Sequence, residues 1–138
     1  MLYEWILSAM LAWSPPNPCN VAQLRGYVAI ASAIDSATDD PDEAALLASI
    51  AYYETGRTFN ASPQLKGKAG ERGPWQLMPW SPVPKTLDGQ AKEALSRWKL
   101  QGPCGYTGEA RNAKSVCPLA HHRMDRAASW AAQHPFRP

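Results

Sequence analysis

Apolar residues recur along this chain at the three- and four-residue steps of an α-helix, and two long stretches interrupt them. In MLYEWILSAMLAW, Leu2, Ile6, Ala9, Met10 and Trp13 share one face and predict a first helix. SPPNPCN (14–20) is a rigid proline-rich connection, and Asn20 is placed to cap a second helix. That helix points Leu24, Tyr27, Val28, Ala31 and Ile34 inward. In DDPDEA the start signals coincide, with Asp40 as N-cap, Pro41 in the first turn and Glu43 three residues after the cap. The third helix so begun carries Leu47, Ile50 and Ala51 on one face and stops at Gly56. A fourth has Leu87, Ala91, Ala94, Leu95 and Trp98 in register as far as Gly102-Pro103. The last opens at Pro118, turns Ala120, Met124, Ala127, Ala128 and Ala131 inward, and ends before Pro135.

Between Arg57 and Lys85 the period disappears. Glycines stand at 67, 70 and 73 and prolines at 63, 74, 79, 82 and 84, and ordered loops of this length are usually functional. PCGYTGEARNAKSVC (103–117) is a second irregular stretch. No run reads as a strand, though the glycine-rich loop has room for a short hairpin. The expectation is one mainly α domain over 1–138, about five helices around two loops.

Composition narrows the function classes. Hydrophobic residues at 45% and charged ones at 19% belong to a folded chain. A net charge of +2 is too weak to argue for nucleic acid and is compatible with an anionic polymer. No stretch approaches the ~20 apolar residues of a membrane span. The start lacks a basic region and carries Glu4 early, so it reads as a docked helix rather than an export signal. Of three cysteines, Cys19 is left over if Cys104 and Cys117 bridge; free thiols fit the sequence equally well. Zinc held by Cys104, Cys117 and His121, with His122 adjacent, lacks the usual C-x2-C or H-x3-5-H spacing.

One residue breaks the helical pattern. On the third helix the position after Leu47, Ile50 and Ala51 on the same face is Glu54, in the last turn. A negative charge there opposes the helix dipole, and burial penalises it further. Both effects raise its pKa from about 4.3, as a general acid working near neutrality requires. The alternative is an acid at a frayed edge, reaching water or pairing with Arg57. Downstream, KAGERGPWQLMPW (68–80) runs a glycine turn into an apolar segment containing one amide, Gln76. A half-buried amide needs partners, for which a carboxyl or a sugar N-acetyl would serve. Trp75, Trp80 and Tyr53 would either pack in the core or offer flat surface to pyranose rings.

Together these stretches resemble the lysozyme-like superfamily, closest to soluble lytic transglycosylases and goose-type lysozymes. Its catalytic glutamate ends a helix in an E-S-x-F-like motif; a G-L-M-Q-x-M-P loop follows, then a Y-N-x-G segment. YYETGRTFN and RGPWQLMP look like the first two, matching at Glu54, Gly73, Gln76, Met78 and Pro79, across roughly residues 41–80. Thr55 replaces the serine, Phe59 comes late, Pro74-Trp75 replaces Leu-Met, and GYTGE has Tyr106 followed by Thr107 in place of asparagine.

The resemblance implies a lysozyme-like α+β fold with Glu54 ending a central helix beside the glycine-rich loop. It implies cleavage of the β-1,4 bond between N-acetylmuramic acid and N-acetylglucosamine in peptidoglycan. Glu54 would act as single acid and base and leave 1,6-anhydro ends. Substrate would meet Tyr53, Thr55, Gly73, Trp75, Gln76, Met78 and Tyr106, with Gln76 orienting the glutamate or substrate and Tyr106 bonding the same carboxyl. A hydrolytic muramidase needs a second carboxylate, for which Glu71 stands first and Asp88 and Glu109 behind it. No cofactor or metal is implied, and the partner is the peptidoglycan glycan strand, met by a monomer. Action in the periplasm or cell wall suits a phage lysin, a virion-associated enzyme or another delivery route. A non-catalytic glycan-binding or structural module and a small metal-binding protein are the rivals from other classes.

Overall fold

A computed structural model of the chain describes residues 1–14, 20–109 and 116–138. The proline-rich connection with Cys19 and much of the second irregular loop lie outside the described residues. Six helices are described: α1 (Tyr3–Trp13), α2 (Val21–Ala37), α3 (Pro41–Glu54), α4 (Leu87–Gln101), the single turn α5 (Pro103–Tyr106) and α6 (Pro118–Gln133). The architecture is mainly α, as expected. Among the described residues none of the helices is long and apolar enough to cross a membrane.

The helix starts follow the local signals. Asn20 Oδ1 accepts from Gln23 N at 2.8 Å while Gln23 Oε1 accepts from Asn20 N at 3.2 Å, a reciprocal cap. Asp40 caps α3 by accepting from Asp42 N at 2.8 Å, with Pro41 in the first turn. Glu43 does not close a box back onto Asp40. Its carboxylate accepts from Thr38 Oγ1 at 2.6 Å and pairs with Lys99 at 2.6 Å, tying α3 to α4.

Helix α3 packs against α1, α2, α4 and α6. Ala44, Ala45, Leu47, Ala48, Ser49, Ile50, Ala51 and Tyr52 are all buried, so the apolar stripe is one side of an almost wholly enclosed rod. Its alanines and serine let neighbouring helices approach closely. Ser49 Oγ donates to Arg123 O of α6 at 2.7 Å, satisfying a hydroxyl deep in the core.

Two inward faces differ from their expectation. In α2, Leu24 is 42% exposed while Ile30 and Ala33 are fully buried. In α6, Ala128 is exposed and the buried set is Ala120, Arg123, Ala127 and Trp130. Its alanines bury little area, so the large side chains decide the rotation. Trp130 meets the Trp13 ring edge-on at 6.1 Å, and Arg123 meets Glu54.

The glycine-rich loop is pinned rather than idle. Trp75 Nε1 donates to Leu47 O of α3 at 2.9 Å. Isolated antiparallel bridges pair Lys66 with Arg72 and Arg72 with Leu77, so the loop folds back on itself where the sequence left room for a hairpin, without a strand among the described residues.

Candidate functional site

Glu54 closes α3 and Thr55 caps it. Thr55 Oγ1 donates to Ala51 O at 2.7 Å and accepts from Phe59 N at 2.9 Å, so this side chain serves the chain reversal. Gly56 follows at φ 63°, a conformation glycine adopts without a Cβ penalty. The reversal leaves the Glu54 carboxyl mostly buried at the edge of a cavity of about 360 Å³. Glu71, Gln76, Met78, Trp80, Tyr106 and Thr107 line that cavity with it.

Glu54 is paired, but not with Arg57, whose guanidinium lies over the Tyr52 ring at 6.0 Å. Its Oε1 accepts from Arg123 Nη2 at 2.8 Å, and its Oε2 has no hydrogen-bond partner among the described residues. Burial pushes the Glu54 carboxyl above the ordinary glutamate range. The Arg123 charge and hydrogen bond pull it down, the Glu71 charge pushes it up again, and the net direction is upward. Arg123 is itself buried, donates to Leu119 O at 2.9 Å, and lies over the Tyr53 ring at 5.1 Å.

The three proposed second carboxylates separate cleanly. Glu71 lines the cavity, and its Oε1 accepts from Ala69 N at 2.6 Å. Asp88 sits exposed in the first turn of α4. Glu109 caps α6 from a distance, accepting from Leu119 N and Ala120 N at 2.9 Å each and from Thr107 Oγ1 at 2.6 Å. Disulfide bonding of Cys104 to Cys117 holds α5 and α6 together beside this cap and removes both thiols as metal ligands.

The expected substrate-binding residues divide. Met78 and Tyr106 line the cavity, and so does Gln76, whose Nε2 donates to Gly73 O at 2.8 Å and Leu65 O at 3.2 Å. That amide therefore shapes its own loop and does not bond Glu54. Tyr106 does not bond the carboxyl either; its hydroxyl donates to Trp75 O at 2.8 Å. Burial, reinforced by the Glu54 charge, pushes that phenol far up, so it stays a neutral donor. Trp75 is fully buried and cannot stack on a sugar. The exposed ring is Trp80, 59% accessible, with the Arg97 guanidinium 4.5 Å from its centroid. Arg97 holds this segment by donating to Met78 O at 2.7 Å. Gly73 is a buried turn residue at φ 78°. Tyr53 faces a different groove, where its hydroxyl accepts from Arg126 Nε at 3.1 Å.

Sequence reasoning missed Arg123. Its signal was of the kind that exposed Glu54, a charge inside an apolar stripe, here Ala120, Arg123, Ala127 and Trp130. Compared with protein-family models, characterised proteins and solved structures, the chain matches none.

Proposed function

We infer that the chain is a peptidoglycan-cleaving glycosidase acting at the muramic acid–glucosamine β-1,4 bond, with Glu54 as its acid and base and a lysozyme-like arrangement of its elements. The observation that carries this reading is a carboxyl raised by burial, free on one oxygen, beside a cavity rimmed by an exposed tryptophan. The protonated acid gives its proton to the glycosidic oxygen as the C1–O bond breaks, and the substrate's N-acetyl group steadies the cation. Arg123 stabilises the carboxylate so formed. That carboxylate then takes the proton of the 6-hydroxyl, whose oxygen closes onto C1 as a 1,6-anhydro ring. No water is consumed and the acid is restored. Met78 and Trp80 supply apolar surface for the rings.

A hydrolytic variant has one specific support: Glu71 lines the same cavity, and its charge acts on Glu54. In that variant Glu71 would direct a water. Purified protein should clear a peptidoglycan suspension, and Glu54→Gln should abolish clearing with its circular dichroism spectrum unchanged. The amide keeps an oxygen for Arg123 to bond. An active Glu54→Gln protein would sink the assignment. Mass spectrometry of released muropeptides separates the variants: anhydro ends mean transglycosylation, and reducing ends lost in Glu71→Gln mean hydrolysis.

A further inference from the structure

A second groove, also about 360 Å³, lies along α6 and is lined by Tyr53, His122, Asp125, Arg126, Ser129 and Trp130 among others. Arg126 is its guanidinium cation. The guanidinium lies 4.5 Å from the Tyr52 ring centroid, 5.4 Å from Tyr53 and 5.5 Å from Trp13, a stack that takes it partly out of water. Its Nε donates to Tyr53 at 3.1 Å, while its terminal nitrogens have no acceptor and no ion pair among the described residues. A half-buried cation with two donor nitrogens free is built to receive an anion in bidentate fashion. Trp130 lines the same groove, 8% exposed, and its indole N–H, closed off from solvent, has no hydrogen-bond acceptor among the described residues. Buried indole N–H groups normally find one.

The sign of the rim selects the anion. Asp125 is exposed at the groove and unpaired among the described residues, so it offsets the Arg126 charge and disfavours phosphates and polyanions. We propose that this groove binds a single carboxylate, with the free Arg126 guanidinium nitrogens as donors beside the Trp130 ring, as the end of a short peptide would present. The groove adjoins the cleft through Arg123, which bonds Glu54 and stacks on the Tyr53 ring that lines it. On the glycan reading, and resting on it for the ligand's identity alone, the carboxylate belongs to the peptide attached to muramic acid.

The test is a titration of the whole protein followed by the indole N–H resonances in NMR, with Trp130→Phe assigning the Trp130 signal. N-acetyl-D-alanyl-D-alanine should shift that signal saturably, and its C-terminal amide should leave it in place. Arg126→Met, or Arg126→Lys if the methionine variant does not fold, should weaken the apparent affinity about tenfold or more, the scale of one charge-assisted hydrogen bond. No shift, an equal shift with the amide, or an equal shift with inorganic phosphate would overturn the proposal. Because the readout is binding, it is independent of Glu54. A protein that binds the peptide but clears no wall keeps the groove and loses the glycosidase reading. One that clears wall but leaves the Trp130 signal still does the reverse.

Discussion

Replacing Gly73 by alanine separates a turn residue from a substrate contact. Two costs are foreseeable. Gly73 sits at φ 78°, where an L side chain costs about 1–2 kcal/mol. The new methyl would also collide with Oε1 of Gln90, a side chain only 1% exposed whose amide is held by two hydrogen bonds. Gln90 Nε2 donates to Pro63 O and Pro84 O at 2.8 Å each, tying both ends of the glycine-rich loop to α4. Displacing that amide forfeits about 0.5–1.5 kcal/mol per bond, so about 1–3 kcal/mol joins the backbone cost. Gly56→Ala is the control, since its φ of 63° carries the backbone cost while a Cβ there meets nothing within 4 Å. With an unfolding entropy of about 2.1 cal/mol/K per residue over 138 residues, Gly73→Ala should melt about 3–10 °C below Gly56→Ala. Adding Gln90→Ala to Gly73→Ala should cost less than the two changes taken separately, because the truncated side chain no longer collides. Equal melting of the two glycine variants, or strict additivity in that cycle, would refute the reasoning and return Gly73 to the cleft.

Other outcomes follow from the charges and the crosslink. Arg123 holds the Glu54 carboxyl down against its burial, so on the proposed glycosidase reading Arg123→Met should move the alkaline limb of the cleavage pH profile upward, and a downward move contradicts the pairing. In stability the same raised carboxyl contributes fully below its unfolded value near 4.5 and loses that contribution as pH rises through the folded value; thermal melts of wild type and Arg123→Met across pH should show the loss displaced upward in the variant. For Glu109, burial pushes up but the bonds from Thr107, Leu119 and Ala120 outweigh it, so the carboxyl lies below its usual range. Its stabilisation is present above an unfolded value near 4.5 and lost as pH falls; the melting gap to Glu109→Gln should therefore close in acid, and a constant gap would argue against the cap. Reducing Cys104–Cys117, 13 residues apart, should cost about 3 kcal/mol, read as a lower melting temperature, while the unreduced protein should take up no thiol label at either position.

Much of the fold was legible in local signals, and the residues show why. Asn20, Asp40, Pro41 and Gly56 act on backbone groups within four residues, so their patterns appear in the sequence. Periodicity located every long helix, yet on α6 it turned Ala128 inward and passed over Arg123 and Trp130, because a pattern counted on small apolar residues gives no weight to a buried arginine. The single turn α5 falls in a stretch without period and was read as loop. At the site, Glu54 announced itself by its conflict with the stripe and Gln76 as the lone amide of an apolar segment, while Met78 and Tyr106 came with the family likeness. Trp75 and Trp80 were indistinguishable on paper, five residues apart in one apolar segment. Only the folded chain shows Trp75 bonded to Leu47 in the core and Trp80 standing on Arg97 in solvent.

By itself, then, the sequence determined where helices begin and stop, which long loop lacks a period, and which acid sits out of place. Those are properties of neighbours along the chain, set by backbone hydrogen bonding and by side-chain spacing on one helix. The tertiary structure decided the partners: Arg123 for Glu54 across 69 residues, Gln90 beneath Gly73, Trp75 for Tyr106, and Cys117 for Cys104. Each joins elements remote in sequence, and each depends on helix rotations that large side chains settle only when the core is filled.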